Sequence, residues 1–164
     1  MHGFLRSICA VALFLALARC SATPAGSSPP SARALPRIDS VEWRCVWLVD
    51  AAGVAVDTTD RPPTLRIAPD GKASGFAGVN RFFASATIGS VTAQPEPLRI
   101  GSVGATRMAG PPERMALEHA FTAMLESVRF SEMKFGAKGP LLVLSTEHHE
   151  VARFEPITAD HAAD

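Results

Sequence analysis

The sequence predicts an α+β fold: a curled, mostly antiparallel sheet of seven to eight short strands packed with one amphipathic helix at about residues 111–127. Three observations carry this expectation. Short apolar runs, several of them alternating, recur between turn residues from Val41 to Phe154. One stretch after Pro111-Pro112 changes to a helical period. The connections between the strand-like runs are too short for parallel crossovers.

A chain of 164 residues has room for one domain with a sizeable core. Lys plus Arg and Asp plus Glu number 16 each, so no basic excess exists to hold a polyphosphate, and nucleic acid is not an expected partner. Hydrophobic content of 47% against 20% charged residues places the chain with globular proteins rather than disordered ones.

In chain order, the first element is an export signal over residues 1–22. A short start with Arg6 leads into an apolar run from Ile8 to Ala18, too short to span a bilayer and followed by small residues. The segment Leu17 to Cys20 (LARC) resembles the lipobox of bacterial lipoproteins, which makes Cys20 a candidate lipidation site. The lipobox has a small residue before its cysteine, and here Arg19 stands there. Ordinary cleavage after Ala22 is the rival, and it leaves a mature net charge of 14 minus 16, or −2. Residues 23–37, rich in Pro, Ser and Ala, form a flexible linker. The domain follows over residues 38–157, and residues 158–164 form a disordered tail.

Within the domain, Val41, Trp43 and Cys45 alternate with Glu42 and Arg44 as a strand does. A loop follows, with a short strand expected at Val54–Val56. Leu65 and Ile67 open a hairpin that turns at Pro69-Asp70-Gly71, and Lys72 to Gly78 return as a strand. Gly75 and Gly78 weaken that strand as regular sheet and mark a bend or close backbone approach, which lets the sheet curl toward a barrel. Further strands are expected around Phe82–Ile88, Leu98–Ile100, Arg129–Phe135, Leu141–Ser145 and Val151–Phe154. In the helix, Leu117, Phe121, Met124, Leu125 and Val128 make one apolar stripe for the core, with Glu118, His119, Thr122 and Glu126 mostly off it. Cys45 is expected as a free buried thiol.

The stretch GFAGVNRFF, followed by ATRMAG, resembles the META domain family, the domain of the heat-shock protein HslJ. The family core G-x-x-G-C-N-[RKS] is met by Gly75-Phe76-Ala77-Gly78-Val79-Asn80-Arg81, and T-[RM]-M-A-C by Thr106-Arg107-Met108-Ala109-Gly110. A P-x-L strand precedes them at Pro63-Thr64-Leu65, and a final L-x-L strand follows at Leu142-Val143-Leu144. The opening Trp-x-Leu is answered by Trp47-Leu48-Val49 without the spacer, or by Trp43. The ordered set spans residues 41 to 156. Both cysteines of the pattern are replaced, by Val79 and Gly110. If those cysteines pair or pack together in relatives, positions 79 and 110 are neighbours in the fold. Such a resemblance implies a non-enzymatic domain of the cell envelope with a binding or stress-tolerance role. Members are associated with heat shock and drug tolerance in bacteria and with virulence-linked proteins in parasites.

The candidate binding residues are Asn80, Arg81, Thr106 and Arg107. Asn80 and Arg81 can hydrogen-bond a ligand beside the Gly-rich bend, or Asn80 can satisfy backbone groups of a turn. Thr106 and Arg107 can line the same surface, or Thr106 can make a buried or local hydrogen bond and Arg107 stand solvated. No catalytic, cofactor-binding or metal-ligating residue is expected. Gly75, Gly78 and Asn80 lack the Lys-Ser/Thr of a phosphate loop, and Ser74 and Ser102 lack a nucleophile elbow. His148-His149-Glu150 is a hairpin turn rather than a metal cluster. The expected protein is periplasmic or secreted, or else held at a membrane only through a lipid on Cys20. Its expected partner is an envelope protein or a small apolar ligand. The alternatives are a small apolar-ligand carrier, and a hydrolase or metal protein.

Overall fold

The computed structural model describes residues 35–89 and 95–157. The expected signal segment with Cys20, the linker up to residue 34 and the 158–164 tail lie outside the described residues.

Strand β1 (Glu42–Leu48) turns Trp43, Cys45 and Leu48 into the core. A register shift between Cys45 and Trp47 lets Leu48 rejoin the inner face, although strict alternation would point it outward. β2 (Thr64–Ile67) and β3 (Lys72–Phe76) form the hairpin expected around Pro69-Asp70-Gly71. β4 (Arg81–Ile88) follows, then β5 (Glu96–Ile100) and the two-residue β6 (Gly104–Ala105). The helix α1 (Pro112–Ser127) leads into three closing strands, β7 (Phe130–Gly136), β8 (Gly139–Ser145) and β9 (Glu150–Pro156).

All strand pairings are antiparallel, in the order β3-β2-β1-β9-β8-β7-β5-β4-β6. β3 also pairs with β4, from Lys72 opposite Ser85 to Phe76 opposite Arg81, so the curled sheet closes on itself as a barrel. β4 serves three neighbours because its length is divided. Ala86–Ile88 pair with β5, while Phe82 and Phe83 pair with β6 on the same side. Among the described residues there are nine strands where seven to eight were expected; the added one is β6. The strand expected at Val54–Val56 is reduced to a single bridge, Val49 opposite Ala55.

The expected return strand to Gly78 stops at Phe76. Gly78 lies at φ +140°, and the Ala77 N–H donates to the Asn80 carbonyl at 2.8 Å, so residues 77–80 turn the chain instead. Gly75 is needed for close approach. A Cβ there would lie 2.8 Å from the Thr64 carbonyl carbon and 2.9 Å from Phe82 Cε1.

The helix begins where Pro111-Pro112 supply a pre-set φ and Glu113 faces the positive end of the dipole. It lies across one barrel end, touching the β1–β2, β3–β4 and β5–β6 connections through Arg114–Asp60, Glu118–Asn80 and Glu126–Val103. Leu117, Phe121, Met124 and Leu125 point inward, and Val128 just beyond the helix is also buried. Phe121 joins two walls of the barrel. Its ring meets Phe82 of β4 edge-on at 5.7 Å and Phe154 of β9 at 6.2 Å. Trp43, Leu48, Leu65, Ile67, Leu98, Leu142 and Leu144 fill the remaining interior.

Candidate functional site

The β3–β4 turn, the segment after β6 and the helix converge on the side chain of Asn80, which is 2% exposed. Its Oδ1 accepts from Thr106 Oγ1 and from the Met108 N–H, both at 2.8 Å. Its Nδ2 donates to the Met108 carbonyl and to Glu118 Oε1, both at 3.0 Å. An amide has two donors and two acceptor sites, so Asn80 has nothing left to offer a ligand.

Glu118 completes the cluster. Its Oε2 accepts from the Asn80 N–H at 2.7 Å and the Val79 N–H at 3.2 Å. The sequence-based placement of Glu118 off the apolar stripe is corrected here, since it is buried. The signal was present in the spacing. Glu118 lies three residues before Phe121 and seven before Leu125, on the inward face. No cation lies within ion-pair distance of it among the described residues. Three N–H donors hold its charge instead.

Backbone conformation makes this contact reachable. Gly78, at φ +140°, brings the turn against the helix so closely that a Cβ would sit 3.0 Å from the Arg114 carbonyl oxygen. Positions 79 and 110 are neighbours, as the resemblance implied. A Cβ built on Gly110 would lie 3.3 Å from Val79 Cβ and 2.5 Å from Val79 Cγ2.

The four candidate residues thus divide into two pairs. Asn80 is buried and accepts a hydrogen bond from Thr106, an exposed residue whose hydroxyl turns inward onto that amide. Arg81 and Arg107 face solvent next to that pair, with Arg81 joined to Thr106 through its backbone. Met108, which sequence reasoning did not single out, is 57% exposed while both its backbone groups are bonded to Asn80.

Elsewhere, Cys45 is a free buried thiol, as expected, and burial pushes its pKa up to about 12. His148 and His149 lie exposed in the β8–β9 turn. Among the described residues no three His, Cys, Asp or Glu side chains gather as a metal site. An open groove of about 690 Å³ lies between residues 50–52 and the outer face of the helix, with Ala116, Ala120 and Ala123 on its floor.

A family model described as the META domain matches residues 37–157. Among solved structures, the chain is similar to an NMR structure of a protein from Burkholderia xenovorans. The TM-score is 0.57 and the identity 24%, over 82% of this chain and 99% of that one, a likeness of fold alone. A second NMR structure of a protein matches at a TM-score of 0.46 and 18% identity, over 73% of this chain and 91% of that one. No curated protein matches the chain.

Proposed function

The chain belongs to the META domain family, and from that premise we propose an exported, non-enzymatic domain that acts by binding in the cell envelope, with stress tolerance as its setting. The observation that carries this reading is the saturation of Asn80. The most chemistry-like polar residues of the family pattern are engaged with one another and with Glu118. They tie the lid helix to the barrel and leave the exposed side chains around them as the contact surface. Export rests on the Ile8–Ala18 run and the small residues that follow it.

Two measurements test the reading. Mass spectrometry of the mature N-terminus separates an acylated Cys20 from a free Thr23, and an uncleaved Met1 overturns export. A broad hydrolase screen of the purified protein should find no turnover that a single polar-to-Ala change abolishes; such a turnover overturns the non-enzymatic reading.

The open groove beside the helix supports a second reading, a carrier of a small apolar ligand. The barrel interior is filled by Trp43, Phe82, Phe121 and Phe154, so a carried molecule would lie outside the barrel. An Ala120→Trp change should then abolish binding of an apolar fluorescent probe.

A further inference from the structure

The outer wall formed by β3, β4, β5 and β6 differs in charge from the opposite side. Around β1, β7 and β9, Arg44 pairs with Glu155, Lys134 with Glu132 and Arg153 with Glu150, which leaves Lys138 of the β7–β8 turn without a carboxylate partner among the described residues. On the β4 wall, Arg81, Arg99 and Arg107 are exposed and have no carboxylate partner among the described residues. The outward side chains between them are Ser74, Ser85 and Thr87. Acids lie at the margins, with Asp70 bonded to Lys72, Glu42 opposite Arg66 and Glu126 bonded to the Val103 N–H.

Two large apolar side chains project among these arginines, Phe83 at 64% exposure and Met108 at 57%. Both are held in place. Phe83 pairs across the sheet with Gly104, and its ring covers that glycine so closely that a Cβ there would lie 2.6 Å from Cζ. Met108 is fixed by the two backbone bonds to the buried Asn80 amide. The chain enters the domain beside Ile88, at the other end of β4, and the segment kept before it after cleavage at Ala22 carries Arg33 and no acid.

We propose that this wall docks on an anionic lipid bilayer, with Arg81, Arg99 and Arg107 on lipid phosphates and Phe83 and Met108 in the interfacial layer. A barrel wall is convex and meets a flat surface along a strip, and the five residues lie on β4, on its neighbour β5 and in the segment after β6. Basic side chains flanking exposed apolar ones are the pattern of interfacial binding. An acidic protein is the competing occupant of the same charges, but the apolar pair has use for a lipid layer without any matching concave partner.

The test uses the exported protein made with Cys20→Ser, its N-terminus checked by mass spectrometry, so that neither an acyl group nor the Ile8–Ala18 run contributes. Its binding is measured by flotation with phosphatidylcholine vesicles and with vesicles holding phosphatidylglycerol. Affinity for the anionic vesicles should be at least about tenfold higher and should fall with salt. R81Q/R107Q should lower it by about 25-fold, and F83S/M108S by about tenfold or more. K134Q/K138Q, on the β7–β8 hairpin, should change nothing. R81K/R107K should retain binding, which separates loss of charge from loss of fold. Equal affinity for both vesicle types overturns the proposal, as does indifference to both patch variants. Binding to polyglutamate without binding to vesicles also overturns it, and assigns the wall to an acidic protein.

Discussion

Introducing cysteines as V79C/G110C should give a spontaneous disulfide that locks the β3–β4 turn to the start of the helix. The geometry is nearly right already. The built Cβ of Gly110 stands 3.3 Å from Val79 Cβ, against about 3.5–4.5 Å in disulfides, so the two backbones need to part by only a few tenths of an ångström. The bridge would close a loop of about 32 residues, for which the chain-entropy model gives about 3.7 kcal/mol at 25 °C. The Val79 methyls that crowd position 110 leave with the substitution, and the two sulfurs take their space. Allowing for strain, the oxidised double variant should be about 2 kcal/mol more stable than its reduced form, a rise of roughly 6–8 °C in Tm for a domain of this size. Paired melts with and without dithiothreitol measure the difference, and peptide mapping must show the 79–110 linkage with Cys45 still a thiol. The control G110A keeps Val79, sets a Cβ 2.5 Å from its Cγ2, and should cost about 1–3 kcal/mol. The reasoning is refuted if the double variant refolds in a glutathione buffer with both new thiols free, or if closing the bridge lowers Tm.

Three further outcomes follow from the same structure. E118A removes the acceptor of three N–H donors, and urea unfolding should show a loss of about 3–5 kcal/mol, with E118Q intermediate because its amide presents N–H groups to other donors. G75A sets a methyl 2.8 Å from the Thr64 carbonyl carbon and should lower stability by about 2 kcal/mol or more, while S74A next to it stays within about 0.5 kcal/mol. Burial raises the Cys45 thiol from 9.0 to about 12. Between those values the unfolded chain has lost a proton that the native state keeps. Stability is therefore fully present below pH 9 and falls by about 1.4 kcal/mol per pH unit on the way to the folded value. The wild-type-minus-C45A difference in urea midpoints across pH 8–12 measures it, and DTNB should leave Cys45 unreacted in the native state at pH 8.

Much of the fold was legible because its signals are local. Alternation marked the strands, the Leu117–Val128 stripe marked the helix face, and Pro69-Asp70-Gly71 marked a turn through the conformations those residues allow. Errors arose where local signals meet tertiary ones. β6 is too short to carry a period, and it exists because Phe82 and Phe83 need partners beyond the end of β5. Glu118 was placed by its charge type and not by its helical phase. Burial is acceptable there because three donors from the β3–β4 turn are waiting, and that turn is 38 residues away from it in sequence.

By itself, the order of residues determined which segments alternate, which helix face is oily, that Gly75 and Gly78 mark a bend or a close backbone approach, and which family pattern the chain follows. All of these depend on neighbours within one or two turns of chain. Only the tertiary structure decided that the sheet closes through β3 and β4, that Asn80 is saturated and not offered to solvent, and that three arginines share a wall with Phe83 and Met108. These are meetings of residues far apart in sequence, and their energies come from packing and shared hydrogen bonds that no single segment contains.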